Sequence, residues 1–188
     1  MFVNGDWVML MGKLMRVGRW AVAVTTLVLA LRLLEQPGPA RPLRTVQEHF
    51  LGIPAPLLPL GTAENRRRYL RDALVDERHG YIRYQASDNP ERFEFAIFRK
   101  TNGQYLAAFS VPYDPDFWDQ PIPSRLILLD YRQGRWQDVT KELLPVPLAP
   151  TLTYQLPRVG RDMVVVDRRN QKRYRLRWQN DRFVRLGM

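Results

Sequence analysis

The sequence predicts an α+β protein that is mostly β. A helical lead-in comes first, then an antiparallel β-meander of about seven or eight strands. Three observations predict it. From Tyr81 onward apolar residues recur at every second position, the period of a strand with one buried face. An aromatic, four turn residues and a second aromatic occur as Tyr131-Arg-Gln-Gly-Arg-Trp136 and again as Trp178-Gln-Asn-Asp-Arg-Phe183, a layout suited to tight hairpins. Before Tyr81 the apolar spacings are 3 and 4, the period of a helix.

The first element precedes the domain. Lys13, Arg16 and Arg19 flank an apolar run of 12 uncharged residues, Trp20 to Leu31, and Pro37-Gly38-Pro39-Ala40 follows. A basic flank, a short apolar core and a small-x-small exit form a secretory signal. Signal cores run about 7–15 residues and spanning helices about 17–25. If Arg32 snorkels, Leu33 and Leu34 lengthen the run, and residues 13–34 become an uncleaved membrane anchor. A buried helix of a cytosolic domain is the third reading. Residues 1–10 carry no Lys or Arg and fit no signal, so Met11-Gly12-Lys13 offers an alternative start. The expectation is an exported protein, periplasmic or secreted, or anchored by this helix. No cysteine is present, which excludes disulfides and thiolate metal sites.

The 148 residues after Ala40 suit one domain. Residues 41–61 read as a short helix and a connector. Val46 and Phe50 lie four apart, and Gly52–Gly61 holds three prolines in ten residues, too many for a helix. Leu57, Leu58 and Leu60 give that connector an apolar side. Residues 62–188 read as a β-rich domain with a leading helix. Thr62 caps a helix expected to run to Arg78, with Leu70, Ala73 and Leu74 as the core stripe and Arg66, Arg67, Arg68 and Arg71 on the solvent side. His79 falls in its last turn and Gly80 ends it. Strands follow at Phe93–Phe98, Leu126–Tyr131, Met163–Val166 and Tyr174–Trp178, with turns at 101–103, 132–135 and 179–182. Asp138 or Thr140 caps one helical turn that Pro145 stops. A β-propeller fragment is the alternative architecture, although a full propeller needs a longer chain.

Few residues carry catalytic chemistry. His49 and His79 have no spaced partner for a metal. Ser87, Ser110 and Ser124 lack a nucleophile elbow, and no glycine-rich loop cradles a phosphate. No cofactor is therefore expected. Asp114, Asp116 and Asp119 fall within six residues and form a weak Ca²⁺ candidate without the EF-hand spacing; an ordinary solvated turn is the plainer reading. Phe117 and Trp118 in the same Pro-rich loop either fold back over the sheet or contact a partner.

Charge gives the one chemical slant. The chain carries +10 overall, and residues 157–188 hold ten Arg/Lys against Asp162, Asp167 and Asp181, a local +7. Arg173, Arg175 and Arg177 share one side of a strand at a spacing of about 7 Å. Tyr174, Leu176 and Trp178 occupy the other side. With Arg185 nearby, these arginines form the candidate site for an anionic partner, since guanidinium groups hold carboxylates and phosphates through a planar fork. A solvated face, or one neutralised by acids on the next strand, is the plainer alternative. Nucleic acid is disfavoured, because the aromatics alternate away from the arginines instead of among them.

The layout resembles uncharacterised exported bacterial β-rich proteins over residues 64–145. Gly80-Tyr81-Ile82, Phe98-Arg99-Lys100 with Asn102-Gly103, and Gly134-Arg-Trp-Gln-Asp-Val-Thr140 carry the resemblance. It implies a fold and no activity. The expected function is a non-catalytic binding domain for a protein partner or an anionic envelope component. The alternative is a small extracytoplasmic hydrolase without a recognisable motif. A concave site with convergent titratable groups would separate the two.

Overall fold

The computed structural model describes residues 44–87, 91–112 and 124–186. The expected signal or anchor over residues 1–40 lies outside the described residues. So do the turn acids Asp114, Asp116 and Asp119 and the aromatics Phe117 and Trp118.

Among the described residues, ten strands form two antiparallel sheets. Strands β1 (Leu74–Asp76), β2 (Tyr81–Gln85), β3 (Arg92–Arg99), β4 (Tyr105–Val111), β5 (Arg125–Arg132) and β6 (Arg135–Asp138) make a six-stranded sheet in chain order. Strands β7 (Leu152–Gln155), β8 (Asp162–Asp167), β9 (Lys172–Gln179) and β10 (Arg182–Arg185) make a four-stranded one, again in chain order. Every neighbour is antiparallel. The mostly β α+β class and the meander connectivity agree with the alternation and hairpin signals.

Two cores explain the layering. Phe98, Leu106, Leu128, Met163, Leu176 and Trp178 belong to an apolar cluster shared by the two sheets. Phe95, Phe109 and Ile127 point the other way, against Phe50, Ile53 and Leu58 of the helical lead-in. The six-stranded sheet is thus covered on both faces. β4 shows it in sequence: Leu106, Ala107, Ala108, Phe109 and Ser110 are all buried, so a continuous apolar run replaces alternation. Ser110 turns its hydroxyl to the Tyr154 carbonyl at 2.6 Å and ties the sheets together. Trp178 Nε1 does the same with the Arg99 carbonyl at 2.9 Å.

Helix α1 (Val46–Gly52) has only seven residues, too few to persist alone in water. Tertiary caps hold it. Thr45 and Glu48 form a capping box. The Val46 amide donates to the Glu77 carboxylate at 2.9 Å, and Trp136 Nε1 donates to the Gly52 carbonyl at 3.0 Å.

Helix α2 (Ala63–Asp72) starts on the expected cap, the Thr62 hydroxyl accepting from the Asn65 amide. It stops six residues short of Arg78. Leu74, Val75 and Asp76 instead pair with Arg83, Ile82 and Tyr81 of β2. Ladder bonds to an existing strand outweigh helix propensity there, and β-branched Val75 fits the pleat. Leu74, expected in the helix stripe, is exposed in β1. His79 lies in the β1–β2 turn, where its Nδ1 sits 3.0 Å from the Asp76 carboxylate. Gly80 closes that turn at φ +65°, and a Cβ there would lie 2.5 Å from the Ile97 side chain, so both conformation and space require glycine.

Arg66 reverses an expectation. Helical spacing placed it on the solvent side of α2, yet it is 1% exposed. Its guanidinium donates to the Gly61 carbonyl at 2.6 Å, the Leu51 carbonyl at 3.0 Å and the Ile53 carbonyl. It also lies over the Phe50 ring at 5.9 Å. Three backbone acceptors at the end of α1 and the connector, with no acidic partner among them, make Arg66 a staple. The apolar side of α2 alone cannot predict this, because the acceptors come from a neighbouring segment.

The hairpins are where the aromatics placed them. Tyr131 faces Trp136 with centroids 5.4 Å apart, and Trp178 faces Phe183 at 5.2 Å. Such cross-strand pairs contribute roughly 0.2–1 kcal/mol each. The β9–β10 turn holds Asn180 and Asp181 at φ +51° and +59°, a tight turn normally made with glycine. Asp181 has a role in the fold: its carboxylate accepts from the Thr101 amide at 2.8 Å and the Thr101 hydroxyl at 2.5 Å, which docks one sheet's turn on the other's.

Candidate functional site

Register places the arginines. Arg177 lies opposite Asp162 of β8 and Val184 of β10. Arg175 lies opposite Val164, and Arg173 opposite Val166. Arg173, Arg175 and Arg177 are all exposed, while Leu176 and Trp178 between and beyond them are buried and Tyr174 is half-buried. The three therefore occupy the outer face of the four-stranded sheet, the face turned away from the shared core. Arg182 joins them, because it lies opposite Gln179, on the same side of β9.

Arg185 does not. It lies opposite Leu176, on the core-facing side of the sheet. Its guanidinium stacks over the Tyr174 ring at 4.6 Å from the centroid, a cation–π contact that lids the core edge. The two-residue turn decides this. With Asn180 and Asp181 at the tip, 182 pairs with 179 and 184 with 177, so even numbers on β10 share the side of odd numbers on β9. The expected turn at 179–182 already contained that parity.

The charges on the outer face are not equivalent. Asp162 accepts two bonds from Arg177, 2.7 Å from Nε and 2.9 Å from Nη2. This bidentate pair holds the Asp162 carboxyl below the usual carboxylate range and raises the Arg177 guanidinium. Among the described residues, Arg173 and Arg175 make no ion pair. Val164 and Val166 are half-buried beside them, and Val184 is 37% exposed. The arginine stems thus run across an aliphatic surface while their heads reach solvent.

A concave feature opens beside β5 and α3 (Thr140–Leu143). It is a cleft of about 720 Å³ lined by Leu126, Val139, Leu148 and Tyr154, with Ser124, Arg125 and Lys141 around it. Asp138 and Glu142 also line it, but each serves the fold. Asp138 accepts from the Thr140 amide at 2.9 Å and from its hydroxyl at 2.5 Å, although the N-cap position of α3 is Val139 and neither Asp138 nor Thr140 occupies it. Glu142 accepts from Arg132 at 3.1 Å.

The remaining buried polar groups are structural too. Asp130 is 1% exposed and accepts from Lys100 at 2.8 Å and Arg132 at 2.6 Å. Glu94, whose carboxyl burial pushes up, accepts from the Tyr81 hydroxyl at 3.0 Å and the Leu156 amide at 2.7 Å. That bond joins β3 to the chain after β7. His49, 5% exposed, donates from Nδ1 to the Thr45 carbonyl, 2.8 Å away. The hydroxyls of Thr140 and Thr101 donate to Asp138 and Asp181, and Thr140 Oγ1 also accepts from the Leu128 amide at 2.8 Å, so both are tied into the fold.

No family model matches the chain, and no curated protein matches it. One solved structure does. It is a domain of an uncharacterized protein from Porphyromonas gingivalis W83, with a TM-score of 0.52, 15% identity, and coverage of 73% of this chain and 96% of that one. This likeness concerns the fold. It accords with the resemblance to uncharacterised bacterial β-rich proteins, and it carries no activity. The function must come from the surfaces above.

Proposed function

We propose that this chain is a non-catalytic binding domain of the bacterial envelope. In this reading residues 11–40 export it, cleaved near Ala40 or kept as an anchor. The outer face of the four-stranded sheet then takes an anionic partner. One observation carries the reading: Arg173 and Arg175 stand exposed and side by side, with no ion pair among the described residues, on a sheet face that nothing among those residues covers. The surrounding charge of +7 over residues 157–188 supplies the long-range attraction. A carboxylated or phosphorylated polymer supplies the complementary groups.

The test compares two sets of substitutions that remove the same charge. Arg173, Arg175 and Arg177 are replaced by Gln in one variant, and the exposed Arg68, Arg71 and Arg78 in another. Retention on heparin should fall steeply for the first and little for the second. It should also weaken with salt, since exposed charges are screened beyond about 8–10 Å at physiological ionic strength. Melting temperatures should stay near the parent's, because Leu176 and Trp178 hold the core side of β9. Equal retention of both variants would reduce the effect to net charge and sink the proposal.

A further inference from the structure

The outer face of the four-stranded sheet carries a row of cations that is interrupted along its length. On β9 the row runs Arg173, Arg175, Arg177, at about 7 Å per step. Arg182 of β10 continues it, because it lies opposite Gln179, one step beyond Arg177. By register the same face holds Thr153 and Gln155 of β7, Asp162, Val164 and Val166 of β8, and Val184 of β10. Asp162 is the one acid among these described strand positions.

Asp162 takes Arg177 out of the row. Its bidentate contact occupies the Nε–Nη2 edge of the guanidinium, at 2.7 Å and 2.9 Å, and fixes the plane of the fork. An anion reaching for the remaining edge meets a like charge in the Asp162 carboxylate. Arg173 and Arg175 differ. They lie opposite Val166 and Val164, which offer no side-chain acceptor. Neither makes an ion pair among the described residues. Their forks are left to a ligand.

From this arrangement we infer that Asp162 is a specificity-determining residue: it limits the site to Arg173 and Arg175, which take a short segment with two anionic groups about 7 Å apart. The inference rests on the proposed anion-binding role of this face and narrows it. Without Asp162, Arg173, Arg175, Arg177 and Arg182 would form one continuous cationic row, suited to long polyanions. With it, the row ends after two cations, and Arg182 stands apart beyond a neutralised pair. A repulsive element of this kind selects among ligands as effectively as an added contact.

The experiment titrates the full chain with a heparin hexasaccharide by calorimetry. Asp162→Asn together with Arg177→Gln removes the pair without changing net charge, and affinity should stay within about twofold of the parent. Asp162→Asn alone frees Arg177 and should raise affinity about two- to fivefold, the factor an exposed charge pair is worth. Glu64→Gln frees Arg67 on α2 with the same change in net charge, and should leave affinity unchanged. Arg173→Gln with Arg175→Gln should weaken binding about tenfold or more. All these side chains lie away from the core, so melting temperatures should stay near the parent's. Lost binding in the paired Asp162 and Arg177 variant, or no gain in Asp162→Asn, would make Arg177 a ligand contact and overturn the inference. So would an equal gain in Glu64→Gln, which would reduce the effect to net charge. In each case a loss on replacing Arg173 and Arg175 would leave the anion-binding reading of the face standing. No binding by the parent, or none lost with Arg173 and Arg175, would overturn both.

Discussion

The two sheets follow different rules. The six-stranded sheet is buried on both faces, by the helical lead-in on one and the second sheet on the other. Among the described residues the four-stranded sheet is buried on one face only, and β9 alternates exposed and buried residues along its length. Doubly covered strands are constrained by packing at every position and leave little freedom for function. A bare face is constrained by neither core, so its residues can be chosen for a partner. The difference locates where substitution should break the molecule and where it should change only what the molecule binds.

The largest expected effect lies in the doubly covered sheet. Phe95 is fully buried and packs on Phe50 with centroids 5.1 Å apart. Phe95→Ala should cost about 3–5 kcal/mol, read as a shift in the denaturation midpoint. Val164→Ala on the bare face should cost less than about 1 kcal/mol, as for a half-exposed side chain. Similar costs at the two sites would mean the outer face is covered in the native protein.

Arg66→Met sharpens the comparison, because it tests how the helical layer is fastened to the six-stranded sheet. It leaves the carbonyls of Leu51, Ile53 and Gly61 without their donor. A loss of about 2–3 kcal/mol should follow, since orphaned buried acceptors cost roughly 1–3 kcal/mol each and some will reach water. Arg67→Met, exposed one position along, should be nearly neutral in the same denaturation series.

A smaller effect comes from pH. Burial holds the His49 imidazole below its ordinary value, against weaker opposing pulls from Thr45, Glu48 and Glu77. The unfolded chain therefore binds the proton more readily than the folded one. Stability should be flat above about pH 6.5, the unfolded value, and should fall as pH drops below it. His49→Phe should flatten that slope in melts between pH 5 and 7 (roughly the range where histidine titrates). A slope unchanged by the substitution would assign the acid sensitivity to other groups.

Much of this was legible in the sequence, and the exceptions have physical causes. Alternation announced β9 and its exposed arginines, because one covered face writes a period of two. Tight turns announced themselves through paired aromatics at Tyr131–Trp136 and Trp178–Phe183. β1 was read as the end of α2 because three residues carry too little pattern to outvote a helix already under way. Arg66 defies its helical spacing because its partners are backbone carbonyls, which leave no trace in side-chain spacing. The cleft was invisible for a related reason. Ser124, Lys141 and Tyr154 come from different elements, and only the stacking of the two sheets brings them to one cavity. Arg185 is near the face arginines in sequence but lies opposite Leu176, on the other side of the sheet, and the turn at Asn180-Asp181 already fixes that parity.

On the proposed reading the outer sheet face, and not the overall positive charge, recognises an anionic partner. Amide chemical-shift mapping with a heparin oligosaccharide tests it most directly. The account predicts that the largest shifts fall on Val164, Val166, Arg173, Arg175, Arg177, Arg182 and Val184, with Arg68, Arg71 and Arg185 little moved. Shifts spread evenly over all exposed arginines, or centred on α2, would contradict it.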